Sequence, residues 1–463
     1  METSLQQTAK TAWHKSKWLI KGGIIGVLAL LLLIPMLYVK NLIFEREKRQ
    51  QEATYEITSK WAGPQNLMGP VIVVPFWKSE EDTAHKVYTT RHLAYFLPDE
   101  LTINATLNPK EKHRGIYKVM LYDTKIRMNG SFDSLAFDKL NILPDKLILN
   151  EAFVQFSVAD NKGLNDQVRL SWNEKNLELS PKTDNAEGMT VPLKMNSADD
   201  LKNIRFSATL DMNGSEQLFF TPLGKSTTVN VNSVWQNPSF TGNMLPQKTE
   251  VNDKGFNASW KSMAHRRSFP QQWIDNSFSF DYYFPKPATA AQTDHTARIY
   301  TVTTKPVSSV AESSFGVSLF IPVNGYQKTL RTVKYALLCI LLTFTAFFLI
   351  ETAHKKSIHP FQYGLVGLAL ILFYTLLLSF SEYTGFNSAY IIASGATIGL
   401  IAWFVKSILR SGKATTVLSV VLVLIYSYIF SLLQLQDYSL LLGSIGLFIT
   451  LGVVMYFSRK LQW

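Results

Sequence analysis

The sequence predicts a two-part membrane protein: an α-helical six-span bundle and a large antiparallel β-rich, sandwich-like extracytoplasmic domain. Three observations predict it. Apolar runs without charge, each about 18 residues and so long enough to cross a hydrocarbon core as helices, lie at both ends of the chain. Between them a polar stretch of the 463-residue chain alternates apolar and polar positions, which buries one face of a sheet. Basic residues crowd onto alternate connections of the apolar block, the asymmetry that orients membrane helices.

Residues 1–17 are polar and lysine-bearing, and are expected in the cytoplasm. Residues 18–39 are expected to form the first span, around the uninterrupted core GVLALLLLIPMLYV. A basic start and an apolar run also fit a cleavable signal peptide. No small-x-small pattern follows Leu37-Tyr38-Val39-Lys40, and the run is long, so an uncleaved signal anchor is expected. Pro35 is tolerated in a membrane helix.

Residues 40–330 are expected to form the β-rich periplasmic domain, opening on a charged, periodic helix over Asn41–Lys60. After Gly63-Pro64 the texture becomes that of strands, at 71–75, 115–123, 205–210, 227–232, 278–282 and 297–302. Asn129-Gly130 and Asn213-Gly214 predict hairpin turns, because both positions tolerate positive φ. An internal boundary, if the region is two modules, would fall in the polar stretch Ser180 to Ser197.

Residues 331–457 are expected to form a five-helix transmembrane block, with spans at 333–350, 363–380, 389–405, 417–433 and 440–457. Residues 458–463 would then be a second cytoplasmic terminus. The short connections on one side carry Lys355, Lys356, Lys406, Arg410, Lys413, Arg459 and Lys460, and those on the other only Glu382 and Asp437. This is the positive-inside pattern. With the amino terminus included, the cytoplasmic side holds eleven Lys/Arg against Glu2 and Glu351, which places +9 of the formal +11 charge there. The basic balance is therefore topological, and nucleic acid is not an expected partner. The single cysteine, Cys339, lies in a span, so the polar region has neither a disulfide nor a thiolate zinc site.

Ionisable groups within membrane segments are functional candidates because their burial is costly. Here Glu351, Glu382 and Asp437 all fall at span ends, where capping or interface anchoring explains them. Their alternative is a polar site on the outer face where Glu382 and Asp437 meet. Gln362 and Tyr363 beside His359, near His354, have the residue types of a metal or proton site. Two histidines five apart across a proline turn have poor ligand geometry. Tyr374 and Ser394 are the mid-depth polar candidates that transport would require. No Gly-x-Ser-x-Gly elbow, zinc motif or phosphate loop occurs, so catalytic residues, metal ligands and cofactors are not expected. Gly364, Gly367, Gly395, Gly399, Gly443 and Gly446 would let helices approach closely.

The chain resembles the CreD family of bacterial inner-membrane proteins. The resemblance rests on His113-Arg114-Gly115-Ile116-Tyr117, Gly130-Ser-Phe132, Thr221-Pro-Leu-Gly224, Trp235 with Asn237-Pro-Ser-Phe240, and Gly255-Phe-Asn-Ala-Ser-Trp260. It is densest from Arg331-Thr-Val-Lys-Tyr335 through Glu351, Gln362-Tyr363-Gly-Leu-Val-Gly367, Phe373-Tyr374 and Ser381-Glu382, and continues to Asp437, Gly443-Ser-Ile-Gly-Leu-Phe448 and Trp463. Tyr383 departs from the Ser-Glu-His the family pattern would have. The resemblance implies a cell-envelope integrity protein of the inner membrane, in a family associated with the CreBC two-component response. It supplies no catalytic residue. The expectation is a non-enzymatic protein, with the lipid bilayer as one partner and envelope proteins, peptidoglycan or lipid as others. The alternative is a transporter or lipid-handling protein using the helix block.

Overall fold

The structure is a computed structural model that describes residues 20–458, except 82–84, 86, 182–187, 196, 283, 285–307, 320–324, 354–357 and 435–438. The chain divides into two compact units, one of residues 1–52 and 323–463 and the other of Ala53–Pro322.

Helix α1 runs over Ile20–Trp61, so the expected anchor and the expected charged helix are one element. Its apolar first half meets the length a span needs, and its second half is laced by i,i+4 pairs such as Glu45–Arg49 and Glu56–Lys60. The helical unit continues with α2 (Gly325–Lys334), α3 (Ala336–Ala353), α4 (Pro360–Thr384), α5 (Phe386–Leu409), α6 (Gly412–Gln434) and α7 (Ser439–Ser458). Among the described residues four helices are long and apolar enough to cross a membrane, and five if α2 and α3, bent by 47°, form one span. Local chemistry sets the ends of α4. His359 caps it with Pro360 in the first turn, and it stops at Gly385, whose φ of 78° disfavours any side chain. A cluster of rings fills the bundle interior, with Phe373 4.7 Å from Tyr426 and 5.3 Å from Tyr390, centre to centre. Tyr390 donates its hydroxyl hydrogen to the Tyr426 carbonyl at 2.8 Å.

Among the described residues seventeen strands build the other unit. They are β1 (Gln65–Glu81), β2 (Val87–Phe96), β3 (Glu100–Arg114), β4 (Tyr117–Ser134), β5 (Phe153–Val158) and β6 (Arg169–Trp172). Next come β7 (Lys175–Glu178), β8 (Ser180–Pro181), β9 (Met189–Pro192), β10 (Lys202–Ser215), β11 (Gln217–Phe220) and β12 (Ser226–Ser233). The last are β13 (Pro238–Gly242), β14 (Lys248–Asn252), β15 (Gly255–Met263), β16 (Gln272–Ile274) and β17 (Phe315–Leu319). A nine-stranded sheet has the order β13-β17-β11-β1-β5-β9-β8, with β2 on β1 and β16 on β2. An eight-stranded sheet has the order β14-β15-β12-β3-β4-β10-β6-β7. Pairing is antiparallel except for β1 with β11 and β3 with β12, which are parallel.

Both sheets contribute to one hydrophobic core. In β3, Leu101, Ile103, Ala105 and Leu107 are buried while Asn104, Thr106 and Asn108 are exposed, the alternation of a sheet with one wet face. Trp260 of β15 stacks on Phe315 of β17 at 5.6 Å, and Phe240 of β13 meets Phe256 and Trp260 edge-on at 5.6 and 5.7 Å. These rings join the two sheets. The stretch Ser180 to Ser197 holds β8 and β9, which pair inside the first sheet.

Two expected hairpin turns are corrected. Asn129-Gly130 lies inside β4 and Asn213-Gly214 inside β10, and neither glycine has positive φ. They serve close approach instead. A Cβ on Gly130 would stand 2.1 Å from the Glu100 carbonyl oxygen and 2.5 Å from the Phe206 ring. On Gly214 it would meet the Tyr122 ring at 2.3 Å. The β3–β4 hairpin instead turns at Gly115, with φ of 58°. The expected strand at 278–282 is absent, replaced by a single bridge between Ser279 and Ser309. The one expected at 297–302 lies outside the described residues.

Candidate functional site

The sequence candidates assemble around the two ends of α4. At its start, Glu351 of α3 is 1% exposed. Its carboxylate pairs with Lys21 of α1. It also accepts the Tyr363 hydroxyl hydrogen at 2.7 Å and the Ile358 backbone N–H at 2.9 Å. An isolated carboxylate at this burial would be strongly disfavoured, and here one cation and two hydrogen-bond donors meet it. The sequence arranges this locally. Glu351 ends one apolar run and Tyr363 begins the next, so Ile358 and Tyr363, at the start of the next run, both reach the acid. Tyr363 is further held by ring contacts with Phe344 (5.7 Å) and Phe347 (4.8 Å).

Gln362 stands beside this cluster in a different role. Its side-chain oxygen accepts the His359 N–H at 3.1 Å, while His359 Nδ1 accepts the Phe361 N–H at 3.2 Å. Together they form a capping box that satisfies donors at the helix start. His354 lies outside the described residues.

At the other end of α4, the Glu382 side chain is 8% exposed. It accepts the Tyr326 hydroxyl hydrogen at 3.1 Å and faces Arg46 Nε at 3.9 Å. Lys328 stands 5.6 Å above the Phe386 ring nearby. Tyr363 and Glu382 are separated by nineteen residues of helix, about 28 Å at the helical rise, close to the thickness of a hydrocarbon core. Asp437 lies outside the described residues, so only Glu382 of that expected pair is placed.

Each acid therefore meets a cation from α1. Between those points α1 packs directly on α4: a Cβ on Gly367 would lie 2.2 Å from Leu32, and one on Gly364 would lie 3.8 Å from Leu28. Gly446 serves α7 in the same way, against the Tyr428 hydroxyl. A Cβ on Gly395, Gly399 or Gly443 would meet nothing within 4 Å among the described residues. Tyr374 is buried in the ring cluster, and the Ser394 hydroxyl is spent on the Ile391 carbonyl at 3.1 Å.

Sequence reasoning missed the partners Lys21, Arg46 and Tyr326. One signal was available. Lys21 has apolar Trp18-Leu-Ile20 before it and an apolar helix after it, a place where a lysine without a partner would be costly.

In the sandwich unit, Arg267 is nearly buried and donates to the Pro222 carbonyl at 3.2 Å, to the Leu223 carbonyl and to Gln271. It lies 4.6 Å over the Phe269 ring. Burial lowers its pKa to about 10, which leaves it charged at neutral pH. The segment Thr221-Pro-Leu-Gly224 is thus held by an arginine that sequence reading left without a task. Thr221 itself joins Asn66 and Ser314 in a buried network, at 3.2 and 2.8 Å.

The family model described as Inner membrane protein CreD matches residues 17–463. The chain belongs to the CreD family. A curated relative, Inner membrane protein CreD of Escherichia coli (strain K12), is 31% identical over 445 residues, covering 94% of this chain and 91% of the relative. Membership and the apolar helices make this a multi-pass inner-membrane protein.

Proposed function

We propose that the protein supports cell-envelope integrity from the inner membrane, without catalysis, through a periplasmic β domain held by a six-helix anchor. In this reading both termini are cytoplasmic, residues 18–39 are an uncleaved signal anchor and 440–457 are the sixth span. The observation that carries it is how the span-end polar groups are used. Glu351, Gln362, Tyr363 and Glu382 are all engaged in ion pairs, hydrogen bonds or a helix cap. A transporter or lipid-handling protein would be expected to keep such groups available to cargo. The positive-inside pattern supports the orientation.

Complementation of a deletion strain tests the reading. The chain carrying Glu382→Gln and Asp437→Asn is expected to restore envelope integrity, and one lacking residues 62–322 is expected to fail while still inserting. A double mutant that inserts, folds and fails, beside a β-deleted chain that succeeds, would overturn it.

A further inference from the structure

The wet face of the eight-stranded sheet carries rungs of short polar side chains, in register across β3, β12 and β15. In one rung Asn230 donates to Asn104 at 2.9 Å and accepts from Ser259 at 2.8 Å, so the row is bonded to itself. The next rung, two residues along, is Thr106, Asn232 and Asn257. Its members are exposed, and among the described residues the Asn232 and Asn257 carboxamides make no hydrogen bond to the protein. That open rung lines a cleft of about 370 Å³. The turn from β14 to β15 supplies Asn252 and Lys254 to the same cleft, and the exposed Val234 gives it an apolar edge.

The chemistry of this lining is selective. A carboxamide offers a donor and an acceptor side by side, which matches a sugar hydroxyl or an acetamido group. No carboxylate lines the cleft among the described residues, and Lys254 is its single charge, a mobile point cation suited to one carboxylate. A strongly anionic ligand such as a nucleic-acid backbone would call for more cations than this.

We infer that this cleft binds a segment of an N-acetylated glycan chain that bears carboxylates. The inference rests on the reading that the β domain faces the periplasm, and adds to it the chemistry of the partner. Asn232 and Asn257 grip hydroxyl and acetamido groups, Lys254 receives the carboxylate, and Val234 contacts the apolar side of the chain.

The test uses the full chain in lipid nanodiscs, titrated calorimetrically with two probes. One is a tetrasaccharide alternating N-acetylglucosamine and N-acetylmuramic acid; the other is chitotetraose, which lacks carboxylates. Wild type is expected to bind both. Asn232→Ala with Asn257→Ala is expected to weaken both by about tenfold or more, the loss of one to two net hydrogen bonds. Lys254→Ala is expected to weaken only the muramic acid probe, and Thr102→Ala, outside the cleft on the same face, to bind as wild type. The inference is overturned if wild type binds neither probe, or if the asparagine variants bind as wild type does. Complementation separates this from the broader reading. If the β-deleted chain fails while wild type binds no glycan, only the present inference falls; if the β-deleted chain complements, the envelope role of the β domain falls whatever the titration gives.

Discussion

Replacing Lys21 with Met would strand a carboxylate. Glu351 is 1% exposed, and without Lys21 it keeps two hydrogen bonds but no cation. Breaking a buried ion pair by removing one partner costs about 3–5 kcal/mol. The Lys21 side chain is 16% exposed, so some water reaches the pair and the lower end, about 3 kcal/mol, is the expected loss. Tyr363→Phe removes one hydrogen bond to a charged acceptor, worth about 1.5–3 kcal/mol. Lys21→Met combined with Glu351→Gln removes both charges together, and is expected to cost less than the two single changes summed by about 2 kcal/mol. Reversible unfolding in mixed micelles, run as a double-mutant cycle, measures that coupling. Single-mutant costs that simply add, within about 0.5 kcal/mol, would refute the claim that Lys21 neutralises Glu351.

Two further predictions concern glycines. Gly130→Ala is expected to destabilise the sandwich by about 3 kcal/mol or more, because the new methyl meets a carbonyl oxygen of β3 that cannot swing away; a melting temperature unchanged from wild type would show that β4 has room there. In the bundle, Gly364→Ala is expected to be neutral. Gly367→Val should lower stability by about 1–3 kcal/mol by driving Leu32 and Phe344 apart, as read from unfolding in the same micelles.

The broad layout was legible in the sequence because it rests on long averages. Apolar runs and period-two alternation report burial over many residues, and α4, α5 and α6 fall where hydropathy puts them, only longer at each end. What the sequence hid was pairwise. Asn-Gly reads as a turn because both residues accept positive φ, yet Gly130 and Gly214 occupy ordinary strand backbone and are small because Phe206 and Tyr122 occupy the space. Nothing local to residues 129–130 announces Phe206. Glu351 and Glu382 were legible as acids at span ends, but their cations are supplied by α1, more than 300 positions earlier in the chain. A separation of 45 residues is enough to conceal Arg267, whose role appears only once the Pro222 and Leu223 carbonyls are seen to face it.

The order of strands also bears on how the chain can be made. β1 takes β11 as its parallel neighbour, some 150 residues downstream, and β11 in turn needs β17 at Phe315–Leu319 to cover its other edge. β3 likewise waits for β12. Pairings this remote must meet a large loop-closure entropy before they gain any contact, which makes such topologies slow to form. A ribosome would have delivered nearly the whole β domain before the nine-stranded sheet had β17, one of its interior strands, in place. During that interval the half-formed sheets expose backbone edges open to wrong partners. The hairpins β1–β2, β3–β4 and β6–β7 can form as they emerge, so the exposed edges are those that await β11, β12 and β17.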